Sequence, residues 1–296
     1  MADHTFGGDW TEQKLEILKR YLEAYLNIFN ANPKAQYLTT WYVDAFAGTG
    51  YRTIKAAEKS DQPVLHEDFA DEEDFIAVKN GSAAHALELS PGFDNYLFIE
   101  ANQKRASELA ILAKKFPDSR IHVQPGDAND VLESWCQNAN WRNNRAVVFL
   151  DPYGASVKWD TIEALAATKA IDFWMLVPVG MVFIRMLPTG GRPNEKWSEK
   201  LTQALGTDEW LSAFYVTTTE QTLFGEDESE KRNASFEQVG SYFLERLSTV
   251  FERVAPVARV LRNSHNSPMY MLCFAAGNKQ GAPTAIRIAK HLLEKF

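Results

Sequence analysis

A regular alternation of short apolar segments with amphipathic ones constrains the fold of this chain more than any other feature. Five apolar segments are predicted to be buried strands, at residues 41–46, 96–100, 120–124, 146–151 and 171–178. Helices are predicted between them, at residues 83–89, 102–116, 130–137 and 159–168. Nearly continuous apolar strands separated by helices are typical of a parallel sheet covered on both faces. We therefore predict an α/β chain with three layers, built on a doubly wound and mostly parallel sheet.

The two ends of the chain extend this pattern. Apolar residues at three- and four-residue steps predict an amphipathic helix over residues 11–29, with a lysine-rich outer face. Near the C-terminus, a helix (236–251) and a final helix (284–296) flank two strand-like runs, 257–261 and 269–276. Because the two runs are joined by a tight connection, we expect an antiparallel pair that closes the sheet.

Residues 188–232 interrupt the alternation and are predicted to be an α-rich insertion, made of a short helix and a polar loop, over the carboxyl edge of the sheet. The chain then divides into three parts. These are an N-terminal helical extension (1–40), a Rossmann-like domain (41–187 with 233–296) and an inserted cap or substrate region (188–232). Residues 51–80 are rich in acidic residues and are expected to be a solvated excursion.

Composition excludes several classes of protein. The net charge of −8 excludes a uniformly basic nucleic-acid coat, although a local basic groove is still compatible with it. With two cysteines, neither a disulfide framework nor a cysteine-built metal site is expected. The apolar stretch without charged residues at 173–184 is shorter than the roughly 20 residues that span a bilayer. We expect a cytoplasmic protein without a signal peptide, a bound metal or a membrane segment.

The first candidate site is the turn Asp44–Gly50, which follows a predicted buried strand. Glycines at such a turn let a ligand approach the backbone. A dinucleotide site would need a third glycine, and that position is Thr53. D-x-F-A-G-x-G resembles instead the turn of methyltransferases, in which the glycines face the amino-acid part of S-adenosylmethionine. A glycine turn without a ligand is the alternative. The predicted cofactor-binding residues of this turn are Asp44, Phe46, Ala47, Gly48, Thr49 and Gly50.

Two further strand ends carry candidate cofactor-binding residues. Glu100 ends the second strand, where a carboxylate can accept hydrogen bonds from both ribose hydroxyls. An acidic residue is also common at a strand end without any ligand. Asp127 and Ala128 follow the third strand, where the carboxylate could bind the adenine amine while backbone amides bind ring nitrogens. The equal alternative is that Asp127 caps the following helix.

The tetrad Asp151-Pro152-Tyr153-Gly154 follows a central strand and is the most informative motif. Open α/β sheets bind their ligands at the carboxyl ends of such strands. An amine that is to be methylated needs acceptors for its protons, which Asp151 and the Pro152 carbonyl could supply. Tyr153 offers a face on which a planar base can stack. We therefore predict Asp151, Pro152 and Tyr153 as catalytic residues, with Asp151 also touching the cofactor; a simple turn is the alternative.

Other polar residues give weaker signals. Four basic residues in or before the insertion could meet phosphates, but acidic residues lie between them, so a salt-bridged surface is at least as consistent. They are Arg185, Arg192, Lys196 and Lys200. The histidines show no metal-ligand spacing, and His122, inside a predicted strand, is expected in the core.

Several of these motifs together resemble the three-Cys-motif partner protein family (TcmP). The resemblance covers most of the chain and includes the pattern T-x-x-K-L-x-I-L-x-x-Y-L from Thr11, the turn at Asp44, Gly81-Ser82, the F-I-E strand end and F-L-D-P-Y-G. It implies a class I methyltransferase-like Rossmann fold and a partner that carries three cysteines and resembles radical S-adenosylmethionine proteins. D-P-Y-G is also similar in part to the D-P-P-Y and D-P-F-G motifs of enzymes that methylate nucleobase amines.

The leading hypothesis is therefore an S-adenosylmethionine-dependent methyltransferase that acts on an exocyclic amine of a nucleobase, in DNA, RNA or a nucleotide. The alternative is a non-catalytic module that binds S-adenosylmethionine and serves as the obligate partner of the three-cysteine protein. A nucleotide-binding enzyme of another class, such as a dehydrogenase, is disfavoured by Thr53.

Overall fold

The computed structural model of the protein describes residues 9–49, 81–222 and 225–296. The predicted acidic excursion at 51–80, together with Gly50, lies outside the described residues.

The described elements follow the predicted order. The helices are α1 (Asp9–Ala31), α2 (Ser82–Leu87), α3 (Gln103–Ala113), α4 (Ala128–Asn138), α5 (Trp159–Ala167), α6 (Ile184–Met186), α7 (Glu195–Leu205), α8 (Trp210–Phe214), α9 (Phe236–Ser248) and α10 (Ala282–Lys295), with a π-helical turn (Val179–Phe183) before α6. The strands are β1 (Thr39–Asp44), β2 (Asn95–Glu100), β3 (Ile121–Pro125), β4 (Asn144–Leu150), β5 (Ile171–Val177), β6 (Tyr215–Thr222), β7 (Gly225–Arg232), β8 (Arg253–Val254), β9 (Arg259–Arg262) and β10 (Pro268–Ala276).

The main sheet has eight strands among the described residues, in the order β3-β2-β1-β4-β5-β10, and both β8 and β9 pair with β10. The pairs from β3 to β5 are parallel, whereas β10 runs antiparallel to β5, β8 and β9. From β1, the chain adds β2 and β3 on one side and then β4 and β5 on the other. This reversal confirms the predicted doubly wound topology and its antiparallel closing pair.

Helices cover both faces of the sheet and form the predicted three layers. Side chains alternate across each strand, so Tyr42 and Val43 belong to different core clusters. The cluster around Tyr42 holds the buried faces of α1, α2, α3 and α10. The cluster around Val43 holds those of α4, α5, α7, α8 and α9. Helix α1 is therefore packed into one of the two layers that enclose the sheet.

Side-chain caps fix the first residues of several helices. Asn102 accepts a hydrogen bond from the Arg105 amide at the start of α3, and Asn194 accepts one from the Trp197 amide at the start of α7. Ser235 and Gln238 form a capping box at the start of α9. Such bonds satisfy backbone amides that have no partner within the helix.

The insertion differs from its prediction in one element. Its helices α7 and α8 are present, but the expected polar loop after Phe214 is an antiparallel hairpin of β6 and β7. The hairpin forms a sheet of its own, and after Tyr215 and Val216 its two strands contain only polar, charged or glycine residues, so they lack the apolar pattern of a core strand.

His122 is also placed differently from its prediction. It is exposed and stacks on Trp41, with 5.6 Å between ring centroids. The reason is that β3 is the edge strand of the sheet, which leaves alternate side chains outside the core.

Gly180 tests the packing of the π-helical turn on β10. A Cβ atom at Gly180 would lie 2.1 Å from the backbone oxygen of Pro268, and backbone cannot yield cheaply. We expect Gly180→Ala to lower the free energy of unfolding by about 2–3 kcal/mol. Gly190→Ala is the matched control, because nothing lies within 4 Å of its Cβ position. Equal unfolding midpoints of the two variants in urea would contradict the expectation.

Candidate active site

The sheet topology brings the predicted site segments to one edge. Asp44 ends β1, Glu100 ends β2, Asp127 follows β3 and Asp151 follows β4. Because these four strands are parallel neighbours, all four residues lie at the carboxyl edge of the sheet. The order of the strands reverses between β1 and β4, and open α/β sheets bind ligands in the crevice at that point.

The glycine turn after β1 is fixed between the neighbouring strands. The Ala45 amide donates to the Phe149 carbonyl, and the Ala47 amide donates to the Ile99 carbonyl. Gly48 is buried and has a φ of +62°, a conformation that favours glycine because other residues carry a Cβ. Phe46 and Thr49 are half-buried on either side. The turn therefore presents mainly backbone atoms to the crevice.

Glu100 joins three parts of this edge. Its side chain is 3% exposed, and its Oε2 accepts a hydrogen bond of 3.1 Å from the Gly48 amide. Its Oε1 accepts from the Asn102 amide at 2.9 Å. The same oxygen pairs with Arg105, whose Nε and Nη2 lie 3.0 and 2.8 Å away. The carboxylate thus holds the glycine turn in place and is already compensated in charge.

Arg105 was missed in the sequence, although it lies five residues after Glu100 in the first turn of a helix. Its guanidinium carbon also lies 5.9 Å from the centroid of the Tyr153 ring. The side chain therefore reaches from the end of β2 to the segment after β4, across the end of β1. Any ribose held by Glu100 must share this carboxylate with Arg105.

Asp44 is fully buried beside the turn. Its Oδ2 accepts a hydrogen bond of 2.5 Å from the Ser82 hydroxyl, and its Oδ1 accepts one from the Phe46 amide. Burial raises the pKa of Asp44 to about 7, since the charged form is poorly solvated. The bonds from Ser82 and Phe46 oppose this rise in pKa, and so does the charge of Lys14, whereas the charge of Asp151 adds to it.

Asp151 forms an ion pair with Lys14 of α1. The distance from Lys14 Nζ to Asp151 Oδ2 is 2.8 Å, and the exposed fractions of the two side chains are 0% and 13%. Lys14 Nζ also lies 5.9 Å from the Trp10 ring centroid and 5.7 Å from that of Phe149. Helix α1 thus supplies a buried cation to the part of the crevice that follows β4.

The position of Lys14 corrects the predicted lysine-rich outer face of α1. Its sequence spacing carried a usable signal: it lies four residues after Trp10 and four before Leu18, both buried on the apolar stripe. A lysine at such a position needs a partner, because an unpaired buried charge is costly.

Pro152 is buried and Tyr153 is half-buried after Asp151, so this tetrad lies in the crevice wall. Asp127 caps α4, since its Oδ1 accepts hydrogen bonds from the amides of Asn129 and Asp130. The capping alternative for Asp127 is thereby confirmed. The capping bonds use Oδ1, so Oδ2 of this exposed carboxylate can accept hydrogen bonds from a ligand. Ala128 opens α4 with its side chain buried.

Asn129 links the segment after β3 to the segment after β4. Its Nδ2 donates to the Ser156 carbonyl at 2.9 Å and to Asp127 Oδ1 at 3.0 Å. Its Oδ1 accepts from the Lys158 amide and the Thr161 hydroxyl, both at 2.9 Å. This buried carboxamide therefore fixes the loop that follows the D-P-Y-G tetrad. No sequence signal identified it.

Of the four basic residues in or before the insertion, Arg192 makes a two-pronged ion pair with Glu230 of β7, with distances of 2.5 and 2.6 Å. This partner lies on the hairpin and not on the helix surface where salt bridges were predicted. Across residues 9–49, 81–222 and 225–296, no group of three His, Cys, Asp or Glu residues could hold a metal ion. None of the helices in those ranges combines the length and hydrophobicity that a membrane-spanning segment needs.

Polar groups from several strand ends line the crevice. Gly48 supplies a backbone without a side chain, Glu100 supplies a carboxylate at the end of β2, and Asp127 supplies an exposed acceptor beyond β3. Tyr42 adds a buried hydroxyl below Asp44 that has no hydrogen-bond partner. Backbone groups, carboxylates and a hydroxyl therefore lie around the crevice.

Comparisons with known proteins support the fold. No protein-family model matches the chain, and no curated protein matches it. The resemblance to TcmP thus gains no support from them. Among solved structures, protein LPL1258 from Legionella pneumophila, of the family DUF519, is 13% identical over 99% of this chain and 94% of that chain, with a TM-score of 0.50. At this identity the likeness shows the fold alone.

Two further solved structures are named for S-adenosylmethionine. One is a putative S-adenosylmethionine-dependent methyltransferase from Listeria monocytogenes, 11% identical over 87% of this chain and 97% of that chain, with a TM-score of 0.34. The other is Trm1 from Pyrococcus horikoshii in complex with S-adenosyl-L-methionine, 9% identical over 96% of this chain and 76% of that chain, with a TM-score of 0.36. At these TM-scores neither likeness supports an argument.

Asn129 tests how firmly the loop after the tetrad is held. We expect Asn129→Ala to lower the free energy of unfolding by about 2–3 kcal/mol, because buried groups lose their partners. Hydrogen exchange should accelerate at the Lys158 amide, which donates to Asn129. Asn138→Ala is the control, since exposed Asn138 bonds only to Ser134 in its own helix. Unchanged exchange at Lys158 would contradict this role of Asn129.

Proposed function

We propose that this protein is a methyltransferase that uses S-adenosylmethionine to methylate an exocyclic amine of a nucleobase, in DNA, RNA or a nucleotide. The observation that carries the proposal is the convergence of the glycine turn, Glu100 and Asp151 at the switch point of a doubly wound sheet. A positively charged sulfonium supplies the methyl group when the cofactor is bound.

On the cofactor side, the residues of the chain would hold S-adenosylmethionine in position. Gly48 and its neighbours would face the amino-acid part of the cofactor, Glu100 the ribose hydroxyls, and Asp127 with the amide of Ala128 the adenine. Glu100 Oε2 accepts only the Gly48 amide among the described residues, so it can accept a further hydroxyl. Holding the reacting groups in line supplies most of the rate in such a transfer.

On the acceptor side, Asp151 would bind the amine. Lys14 engages Oδ2, and no hydrogen bond from the described residues reaches Oδ1. Oδ1 can therefore accept a hydrogen bond from the amine. This bond would turn the lone pair of the amine nitrogen toward the methyl group. Pro152 removes a competing N–H from the turn, and the half-buried Tyr153 offers a ring on which a base can stack.

Cofactor binding gives the direct test of the first half of the proposal. Isothermal titration should show that the wild-type protein binds S-adenosylmethionine. Glu100→Gln should weaken this binding roughly 10- to 100-fold, because a charged acceptor of hydrogen bonds is lost. Glu108→Gln, an exposed residue on α3, should leave it unchanged. A wild-type protein with no affinity for the cofactor would defeat the proposal.

Methyl transfer tests the second half. Protein supplied with S-adenosylmethionine labelled in the methyl group should label one of DNA, tRNA, ribosomal RNA or free nucleotides, with the methylated nucleoside identified by mass spectrometry. Asp151→Asn should slow transfer at least about 100-fold, because the acceptor of the amine proton is weakened. Asp160→Asn, an exposed residue of α5, is the control. Binding without transfer to any of these substrates would contradict nucleobase methylation.

A second candidate is a module that binds S-adenosylmethionine without turnover as the partner of a three-cysteine protein. Arg105 already occupies Oε1 of Glu100, so the isolated chain would bind the cofactor weakly. In that case the protein should copurify with such a partner and bind the cofactor more tightly in the complex. Methyl transfer by the isolated chain would exclude this candidate.

A further inference from the structure

A small buried cluster of charged groups lies under the crevice, where β1, β4 and α1 meet. We call Lys14, Asp44 and Asp151 the carboxylate cluster. Lys14 and Asp44 are fully buried, and Asp151 is 13% exposed. Asp44 ends β1 and Asp151 follows the neighbouring parallel strand β4, and the charge of Asp151 contributes to the raised pKa of Asp44.

The charges of this cluster do not balance. It holds two carboxylates and one ammonium group, and Ser82 gives Asp44 a hydrogen bond but no charge. The nearby Glu100 has its own cation in Arg105. Among the described residues, the crevice therefore carries one negative charge in excess when Asp44 is ionised.

Tyr42 provides an independent sign that a ligand completes this region. Its hydroxyl is fully buried and makes no hydrogen bond with the part of the chain that the structure describes. Tyr42 precedes Asp44 by two residues, so both point to the face of the sheet that α1 covers. Burial raises the pKa of Tyr42 well above its usual value, and the charges of Asp44 and Asp151 add to the rise. A buried hydroxyl without a protein partner can bind a water molecule or a polar group of a ligand.

We propose that the carboxylate cluster makes the crevice selective for ligand charge, so that it favours the cationic methyl donor over neutral S-adenosylhomocysteine, and that Asp44 loses a proton as the cation binds. This inference rests on the proposed function. S-adenosylmethionine has one positive charge more than the product, because its sulfur is a sulfonium. A buried negative charge attracts that charge through a medium of low effective dielectric.

The same charge difference would assist turnover. Methyl transfer breaks the carbon–sulfur bond, and the electron pair stays on sulfur, which becomes neutral. The acceptor nitrogen forms the new bond to carbon and then releases a proton. S-adenosylhomocysteine thereby lacks the sulfonium charge that the ionised cluster attracts. It should therefore dissociate more readily than S-adenosylmethionine.

The direction of the pH dependence follows from Asp44. Its pKa of about 7 means that Asp44 is mostly protonated below pH 7. A bound cation stabilises the ionised form, so binding below pH 7 must release a proton, and binding above pH 8 need not. The affinity for S-adenosylmethionine should therefore rise between pH 6 and pH 8 and then level off. Within residues 9–49, 81–222 and 225–296, the charged or titratable groups that face Asp44 are Lys14 from α1, Asp151 after β4 and Tyr42 from its own strand.

Isothermal titration can test both parts of the inference. The ligands are S-adenosylmethionine, S-adenosylhomocysteine and sinefungin, which carries an amine in place of the sulfonium. At pH 8 we expect both cationic ligands to bind roughly 10- to 100-fold more tightly than S-adenosylhomocysteine. At pH 6.5, titrations in two buffers of different ionisation enthalpy should show that S-adenosylmethionine releases more than half a proton per site.

Variants distinguish an effect of the Asp44 carboxylate on ligand binding from a loss of folding. Asp44→Asn should lose the preference for cations and the proton release, while Asp160→Asn should keep both. Ser82→Ala retains the carboxylate but removes a hydrogen bond that lowers its pKa, so the rise in affinity should move to higher pH. This second variant keeps the test valid if Asp44→Asn does not fold.

Two results would overturn the inference. One is equal affinity of the wild-type protein for S-adenosylmethionine and S-adenosylhomocysteine at pH 8. The other is a preference for cations that survives in a folded Asp44→Asn variant. Both are distinct from a failure of the proposed function, in which the wild-type protein would bind none of the three ligands at any pH.

Discussion

The reversal of strand order between β1 and β4 is the constraint on which the site depends. Parallel strands end at the same edge, so the segments after β1, β2, β3 and β4 must all lie there. Because the chain leaves β1 toward one side of the sheet and enters β4 from the other, the connections diverge and leave a crevice. Residues separated by more than a hundred positions, such as Asp44 and Asp151, become neighbours through this arrangement alone.

Helix α1 turns that crevice into a site with buried charge. Lys14 lies on the apolar stripe of α1 and pairs with Asp151, 137 residues away in sequence. Both groups are costly to desolvate, and each charge offsets part of the cost of burying the other. Arg105 acts in a comparable way on Glu100. Among the described residues, Asp151 and Glu100 are therefore each paired with a cation, whereas the carboxylate of Asp44 accepts hydrogen bonds from the neutral donors Ser82 and Phe46.

Much of the fold could be predicted because its signals are local. Buried parallel strands are apolar throughout and helices have a 3.6-residue period, so five strands and the helices between them were identified within a few residues. The β6–β7 hairpin was missed because, apart from Tyr215 and Val216 at its start, its strands carry no apolar pattern. His122 was wrongly placed in the core because nothing in a short strand shows whether it will lie at the edge of the sheet.

The sequence by itself determined the alternation of strands and helices, the glycine turn after β1, and the polar residues that end the parallel strands. Those features depend on backbone conformation and on residues close together in the chain. The tertiary structure alone decided that Lys14 meets Asp151, that Arg105 meets Glu100, and that Asn129 holds the loop before α5. It also decided the pKa of Asp44, because desolvation depends on everything packed around a carboxylate, and most of those groups come from distant parts of the chain.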